Sequence, residues 1–447
     1  MKSVRPGLLG LLRLFLRVFF RRVEAAGLER VPPEGPLLLV LNHPNALIDP
    51  LFILCLAPRP VSFLAKAPLF RIPVVGWLVK ALGSIPVHRR QDPDAEPARN
   101  REMFAQVRAH LARGGAVALF PEGTSHSDPR LKPLKTGAAR IALGVTATPP
   151  LRIQPAGLYY SAKDVFRSSA LVCFGPPFEV TPAALDPEGE PPADRVQALT
   201  ARIAEALGDV TLQADAYEAH ELVAGTERIL ASERREHDDA PRPDLVLEFD
   251  LRRRLLAGYG RLRAEAPERL EHLRRRIVRY EERLEGAGID PWHVPVGAVS
   301  GGRVLLVTLG FLLRFLLLVP LGVPGLVLHY LPYRLIGFLS RRVGGRGSDL
   351  IATTKAFAAF LLFPATWLAA AVLAGRLGGW LAALAMLALA PVSGYAALRL
   401  SELAFRALGA ARALALWWLG RRRFLHLQLE RRGIREELLR LAEELGV

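Results

Sequence analysis

The sequence predicts an α/β domain with a mostly parallel sheet flanked by helices, then a charged helical region, then C-terminal transmembrane helices. Three observations carry that expectation. Between residues 36 and 180, short apolar runs without polar alternation alternate with helical stretches, as strands buried on both faces do. From 194 to 286 the chain reads as almost continuous charged helix. Beyond 303 it turns apolar, with two uncharged stretches at 356–374 and 380–398, each near the ~20 residues that cross a bilayer.

The strands are expected at 37–41 (LLLVL), 61–65 (VSFLA), 84–88 (SIPVH), 116–120 (AVALF), 151–156 (LRIQPA) and 170–175 (ALVCFG). Helices at 98–113 and 136–144 fall between them, the order that builds βαβ units. Four domains follow: an N-terminal interfacial helix in 1–30, a catalytic α/β domain in 31–180, a charged helical region in 181–300 and a membrane region in 301–447. Residues 181–193 (TPAALDPEGEPPA) are a Pro- and acid-rich connector, and 232–244 form a second hinge.

The N-terminal run GLLGLLRLFLRVFFRR (7–22) places Arg13, Arg17 and Arg21 four residues apart, hence on one drifting helical stripe. Leu and Phe fill the remaining surface. Such a helix either lies in a membrane interface, its guanidinium groups on lipid phosphates, or covers a core. No small-residue cleavage site follows it, so a secretory signal fits poorly. Residues 304–331 are apolar apart from Arg314 and His329, but Pro320, Gly322 and Pro324 interrupt them, which predicts either a re-entrant hairpin or a kinked span. Residues 375–379 (GRLGG) form a tight turn between the last two spans. Arg341, Arg342, Arg346 and Lys355 precede this hairpin and Arg399, Arg406 and Arg412 follow it, which places both of its ends in the cytoplasm.

Composition narrows the function. The chain has 447 residues, 51% of them apolar, with 59 Lys and Arg against 43 Asp and Glu, a net charge of +16. Apolar content and positive charge together point to a membrane surface before nucleic acid, because the arginines flank apolar segments instead of clustering on a soluble face. Cys55 and Cys173 lie in apolar runs, so neither a disulfide framework nor a cysteine zinc site is expected, and no metal set is signalled. No G-x-S-x-G elbow is present and no lysine follows a glycine, which argues against an α/β-hydrolase and a P-loop machine. One hairpin and one broken segment, without paired repeats, are thin for a transporter.

Three segments offer chemistry. In LNHPNALIDP (41–50), His43 and Asp49 follow a strand in a short turn that leads into a helix. A carboxylate that fixes the tautomer of a histidine makes a general base; the same pair also serves as a plain contact at a helix start. In GSIPVHRR (83–90), Arg89 follows a strand, where a guanidinium suits a bidentate grip on phosphate. In LFPEGTSHSDPRLKPLKTG (119–137), Gly123 lets backbone N–H groups approach an anion and Thr124 adds a hydroxyl. Glu122 is placed either to hydrogen-bond a substrate hydroxyl or to hold a basic side chain.

Taken in order, NHPNALIDP (42–50), GSIPVHR (83–89), FPEGTSHS (120–127) and IQPAGL (153–158) resemble the four blocks of the glycerolipid acyltransferase superfamily. FLAKAPLFRIPVVGWLV (63–79) resembles the segment before its arginine block. One spacing departs from the usual pattern. Five residues separate His43 from Asp49 where four are usual, and Ile48 holds the expected acidic position. The longer spacing, FRSSALVCFGPPFEV (166–180), VTLQADAYE (210–218) and the two-span C-terminal region are similar to the yeast-type glycerol-3-phosphate/dihydroxyacetone-phosphate acyltransferases and their bacterial relatives.

The resemblance implies transfer of a fatty acyl group from acyl-CoA or acyl carrier protein to the sn-1 hydroxyl of glycerol-3-phosphate, or of dihydroxyacetone phosphate. The alternative is a 1-acylglycerol-3-phosphate or other lysophospholipid acceptor. It implies His43 as base with Asp49 as its orienting carboxylate, Lys66, Arg89, Gly123 and Thr124 on the acceptor phosphate, and Glu122 positioning the acceptor. Asn45 and Lys135 are further helpers. No cofactor is implied; membrane lipids are the partners, and the site is expected at the cytoplasmic face, in a bacterium that of the inner membrane.

Overall fold

In the computed structural model, residues 5–87, 97–163, 165–214, 217–237, 244–294, 301–344 and 349–446 are described. Helix α1 (Arg5–Phe19) is shorter than the expected 7–22, because the chain re-enters the sheet as β1 (Arg22–Ala26). The Arg21 N–H donates to the Ser168 carbonyl at 2.8 Å and β1 pairs in parallel with β7 (Ser169–Phe174), so Arg21 leaves the helical stripe. The helix covers a core with one face and leaves an apolar, arginine-bearing face exposed. Leu12, Leu16 and Phe19 are buried, whereas Leu11, Leu14 and Val18 stand exposed beside Arg13 and Arg17. The Arg13 Nε–H donates to the Cys55 carbonyl at 3.1 Å.

After β1 come β2 (Leu37–Leu41), α2 (Asp49–Leu56), β3 (Ser62–Lys66), α3 (Pro73–Ala81), β4 (Ile85–Val87), α4 (Pro97–Ala112) and β5 (Ala116–Leu119). Then follow α5 (Gly137–Leu143), β6 (Arg152–Tyr160), β7, β8 (Phe178–Glu179) and α6 (Ala193–Asp209). The strand order is β1-β7-β6-β2-β5-β3-β4, with β8 on β6. All neighbours are parallel except β6 with β7 and β6 with β8, so the sheet is mostly parallel as the unalternating runs predict. Strand β2 is central, and its five apolar residues are all fully buried. Such burial contributes about 1.5–3 kcal/mol per side chain. Leu38 and Val40 pack with Val107 and Leu111 of α4, Ile141 of α5 and Ile203 and Leu207 of α6.

That packing corrects two expected boundaries. Because α6 belongs to the core, the compact unit extends to Gln213, with Gly344–Thr353, instead of ending at 180. Because β1 belongs to the sheet, the 1–30 segment is not a separate helix. The hinge expected at 232–244 lies partly outside the described residues; α7 runs through its first part, to His237.

The second unit contains α7 (Tyr217–His237), α8 (Leu245–Glu265), α9 (Pro267–Ala287), α12 (Arg421–Leu445) and, apart from residues 344 and 349–353, α10 (Gly301–Gly344) and α11 (Asp349–Leu419). Leu222 and Ile229 of α7, Leu262 of α8, Ile277 and Tyr280 of α9 and Phe424 and Ile434 of α12 share one core.

Helices α10 and α11 contain the apolar stretches Leu309–Arg342 and Thr353–Leu419, both long and apolar enough to cross a membrane. Leu316, Leu317, Val327, Leu331, Leu377 and Leu381 stand exposed, an apolar surface of the kind lipid covers. Of the two forms expected for 304–331, the re-entrant hairpin is not there: α10 runs helically through Pro320, Pro324 and Pro332, as a span does. Its close approach to α11 supports the continuous form. A Cβ at Gly325 would stand 2.0 Å from the Ser393 carbonyl oxygen. Packing this close lets neighbouring helices hold a proline-bearing segment in line. The bend in α11 falls at Gly379 (φ 79°), the last residue of the expected turn. On either side of it Trp367 and Gly394 both reach His329 of α10. The Trp367 Nε1–H donates to His329 Nε2 at 2.8 Å, while Nδ1 lies 2.8 Å from the Gly325 carbonyl.

Candidate active site

Parallel strands present their C-terminal ends along one edge of the sheet, where ligands bind in open α/β folds. β2 ends at Leu41, two residues before His43; β5 ends at Leu119, three before Glu122; β3 ends on Lys66. Strand β6 outlasts β2. Its residues 152–156 pair with β2, and 156–160 continue against β7, carrying Tyr160 four residues past the last β2 partner. At ~3.3 Å per residue that overhang is about 13 Å. Asn42 ties it down: its Oδ1 accepts the Leu158 N–H at 2.7 Å and its Nδ2 donates to the Leu158 carbonyl at 3.0 Å.

His43 Nδ1 lies 2.8 Å from Asp49 Oδ2. The same oxygen accepts the Asn45 N–H at 2.7 Å, and Oδ1 accepts the Tyr160 hydroxyl at 2.6 Å. Asp49 is fully buried, yet three donors surround it. A carboxylate that accepts two other donors takes the Nδ1–H as its third. That assigns the proton to Nδ1 and leaves Nε2 as the basic nitrogen, without a protein partner among the described residues. The His43 ring is stacked on Phe120, centroids 3.8 Å apart and planes within 9°, and its side chain is 13% exposed. Within the longer His–Asp spacing, Ala46 takes a positive φ of 36°, uncommon for a residue other than glycine.

Glu122 faces inward. Its Oε1 accepts the His43 N–H at 2.9 Å, and its Oε2 accepts the Lys132 N–H at 2.8 Å and hydrogen-bonds His126 Nε2. His126 Nδ1 accepts the Asp128 N–H at 3.1 Å, which puts the imidazole proton on Nε2, toward the carboxylate. The His126 N–H donates to the His43 carbonyl at 3.1 Å. Both main-chain polar groups of His43 are therefore held by the loop after β5. Of the two roles open to Glu122, the structure displays the holding of a basic side chain.

Gly123 has φ 72°, and a Cβ there would meet the Lys135 Cε at 2.8 Å and Nζ at 2.9 Å, so the lysine amine lies over the glycine. The Lys135 N–H closes the loop on the Pro121 carbonyl at 2.8 Å. Thr124 Oγ1 makes a 3.4 Å contact with the Ser125 carbonyl. Lys66 is half-buried at the end of β3, in register with Val87 of β4. Arg89, two residues beyond Val87, lies outside the described residues. Asn45 is buried, its Nδ2 donating to the Lys163 carbonyl at 3.2 Å, and its Oδ1 has no partner among the described residues. The structure thus gathers His43, Asn45, Asp49, Glu122, Gly123 and Lys135 around two loops.

Sequence reasoning missed Tyr160, Asn42, Phe120 and His126. Tyr160 lies two residues past the fourth block and Phe120 and His126 lie within the third, but nothing local shows that a strand overhang brings Tyr160 onto Asp49. Burial and the adjacent Asp49 carboxylate hold the Tyr160 phenol well above its ordinary range, which keeps it a neutral donor.

Comparison with known proteins places two family models on the chain: Acyltransferase over residues 22–158, and Glycerol-3-phosphate acyltransferase 2 C-terminal domain over residues 236–446. Glycerol-3-phosphate O-acyltransferase 2 of Saccharomyces cerevisiae is 29% identical over 296 residues, 62% of this chain and 39% of that protein. A chloroplast 1-acyl-sn-glycerol-3-phosphate acyltransferase of Brassica napus is 33% identical over 133 residues, 29% of this chain and 37% of that one. The chain thus spans well under half the length of either relative. A crystal structure of the 1-acyl-sn-glycerophosphate acyltransferase PlsC from Thermotoga maritima aligns over 46% of this chain and 79% of its own. That match has 19% identity and a TM-score of 0.33.

Proposed function

We propose that this chain, which matches acyltransferase family models over residues 22–158 and 236–446, transfers a fatty acyl group from acyl-CoA or acyl carrier protein to the sn-1 hydroxyl of glycerol-3-phosphate. Dihydroxyacetone phosphate is a second acceptor. The observation that carries the reading is the His43 ring, oriented through Nδ1 by a buried carboxylate and open at Nε2. Nε2 takes the proton of the acceptor hydroxyl as its oxygen attacks the thioester carbonyl. The C–S bond then breaks, and the imidazolium returns the proton to the departing thiolate. Glu122 positions the acceptor indirectly, by fixing the main chain of His43. Lys66, Arg89, the Gly123–Thr124 turn and Lys135 bind the acceptor phosphate, and Asn45 supports the loop. Deprotonation and thioester attack require no metal or cofactor.

A second reading, acylation of 1-acylglycerol-3-phosphate or another lysophospholipid, has support in the likeness of the α/β domain to the Brassica napus enzyme. The sn-1 reaction is favoured because the C-terminal half matches the glycerol-3-phosphate acyltransferase 2 model. The apolar helices α10 and α11 anchor the protein, with the site at the cytoplasmic face of a membrane, in a bacterium the inner one. Purified protein in detergent, assayed against glycerol-3-phosphate, dihydroxyacetone phosphate and 1-acylglycerol-3-phosphate, tests the reading. Acylation of the lysolipid alone would transfer the assignment to the second. A His43→Ala protein with full activity would remove His43 as base.

A further inference from the structure

We infer that Tyr160 is a third member of the catalytic constellation, a positioning residue that holds the His43–Asp49 pair in its base-competent form. The inference rests on the acyltransferase reading above and deepens it. Its ground is the geometry at Asp49. Oδ2 is shared by His43 Nδ1 and the Asn45 N–H, so among the described residues Oδ1 has only the Tyr160 hydroxyl, at 2.6 Å. Without that donor, a fully buried carboxylate oxygen would have no hydrogen bond.

The direction of the effect follows from charge. A hydroxyl donor bonds most strongly to the full negative charge that Asp49 carries when His43 is neutral. Once the pair takes a proton, the carboxylate charge is partly neutralised and the same bond weakens. Tyr160 therefore favours the deprotonated pair and lowers its proton affinity. The phenol is suited to this because burial and Asp49 hold it neutral. Its ring is fixed as well, with Phe20 at 5.8 Å and Phe52 at 5.7 Å between centroids. A phenylalanine in its place retains both neighbours and leaves no void.

The elements packed around the pair carry other charged groups. Arg13 and Arg17 lie on α1, Glu122, His126 and Lys135 on the loop after β5, and Lys163 after β6. All are common to wild type and variant, so a difference in pH profile between the two reports the hydroxyl.

The test is Tyr160→Phe in the full-length, detergent-solubilised protein, with kcat/KM for glycerol-3-phosphate measured from pH 5.5 to 9. The expected result is an acid limb moved up by about one pH unit. Activity then falls ~10-fold on that limb and recovers at high pH, with KM little changed. A second measurement holds should the variant lose stability. Site-specific 3-fluorotyrosine at 160 strengthens the O–H donor and moves the limb the opposite way. An acid limb unmoved in both proteins, or a loss uniform across pH, overturns the inference. The His43→Ala protein separates the two levels: its full activity refutes the base assignment itself, whereas its inactivity beside an unmoved Tyr160→Phe profile refutes only the role of Tyr160.

Discussion

The charge of Asp49 can be separated from its geometry by one substitution, Asp49→Asn. The carboxylate accepts His43 and Asn45 on Oδ2 and Tyr160 on Oδ1. An asparagine that places its carbonyl oxygen at the Oδ2 position keeps the first two bonds. Its amide then faces Tyr160, whose hydroxyl turns from donor to acceptor. The His43 tautomer survives, so the base retains a lone pair on Nε2. What disappears is the negative charge beneath the imidazolium that forms as the acceptor hydroxyl loses its proton. With charge centres ~4 Å apart and an effective dielectric of ~20, that charge contributes about 4 kcal/mol. The expected loss in kcat is ~10³-fold, with KM for glycerol-3-phosphate nearly unchanged. Initial-rate kinetics with a labelled acyl donor measure it, and thermal unfolding in the same detergent verifies the fold. A folded Asp49→Asn protein within tenfold of wild type would mean that no imidazolium develops beside residue 49, and the base mechanism would fail.

Three further outcomes are expected. Gly123→Ala forces a side chain into φ 72° and displaces the Lys135 amine; a stability loss of ~1–2 kcal/mol and a raised KM for glycerol-3-phosphate are the readouts. His110 is held below its ordinary value of 6.5 by burial and by Arg113, so the folded protein keeps it neutral while the unfolded chain protonates it. The unfolded state then binds more protons below pH 6.5, and stability is lost as pH falls through that value. His110→Gln should flatten the acid side of a melting-temperature profile. Gly325→Ala drives a methyl into the Ser393 carbonyl and should cost ~1–3 kcal/mol of thermal stability in detergent, with His43 chemistry intact.

Much of the site was legible because it is local. His43 and Asp49 sit six positions apart in one turn, and Glu122 and Gly123 follow a buried strand directly, so motif and strand pattern together locate them. The orientation of Glu122 was not legible. Nothing in FPEGTSHS says whether the carboxylate turns toward a substrate or toward the backbone of residue 43, 79 positions away. The N-terminal helix shows the same division. Its arginine spacing gave the amphipathic pattern, but its end at Phe19 depends on β7 accepting residues 22–26 as an edge strand.

Periodicity, charge placement and ordered motifs are properties of neighbouring residues, and they determine the parallel sheet, the charged helices, the apolar spans and the family resemblance. Partner choice across long separations is a property of the packed chain. Only the tertiary structure sets Tyr160 on Asp49 across 111 positions, runs α10 through three prolines against α11, and folds α6 into the catalytic core. In each case the residues are plain in the sequence. The buried group they satisfy, or the surface they cover, exists only once the strands and helices have met.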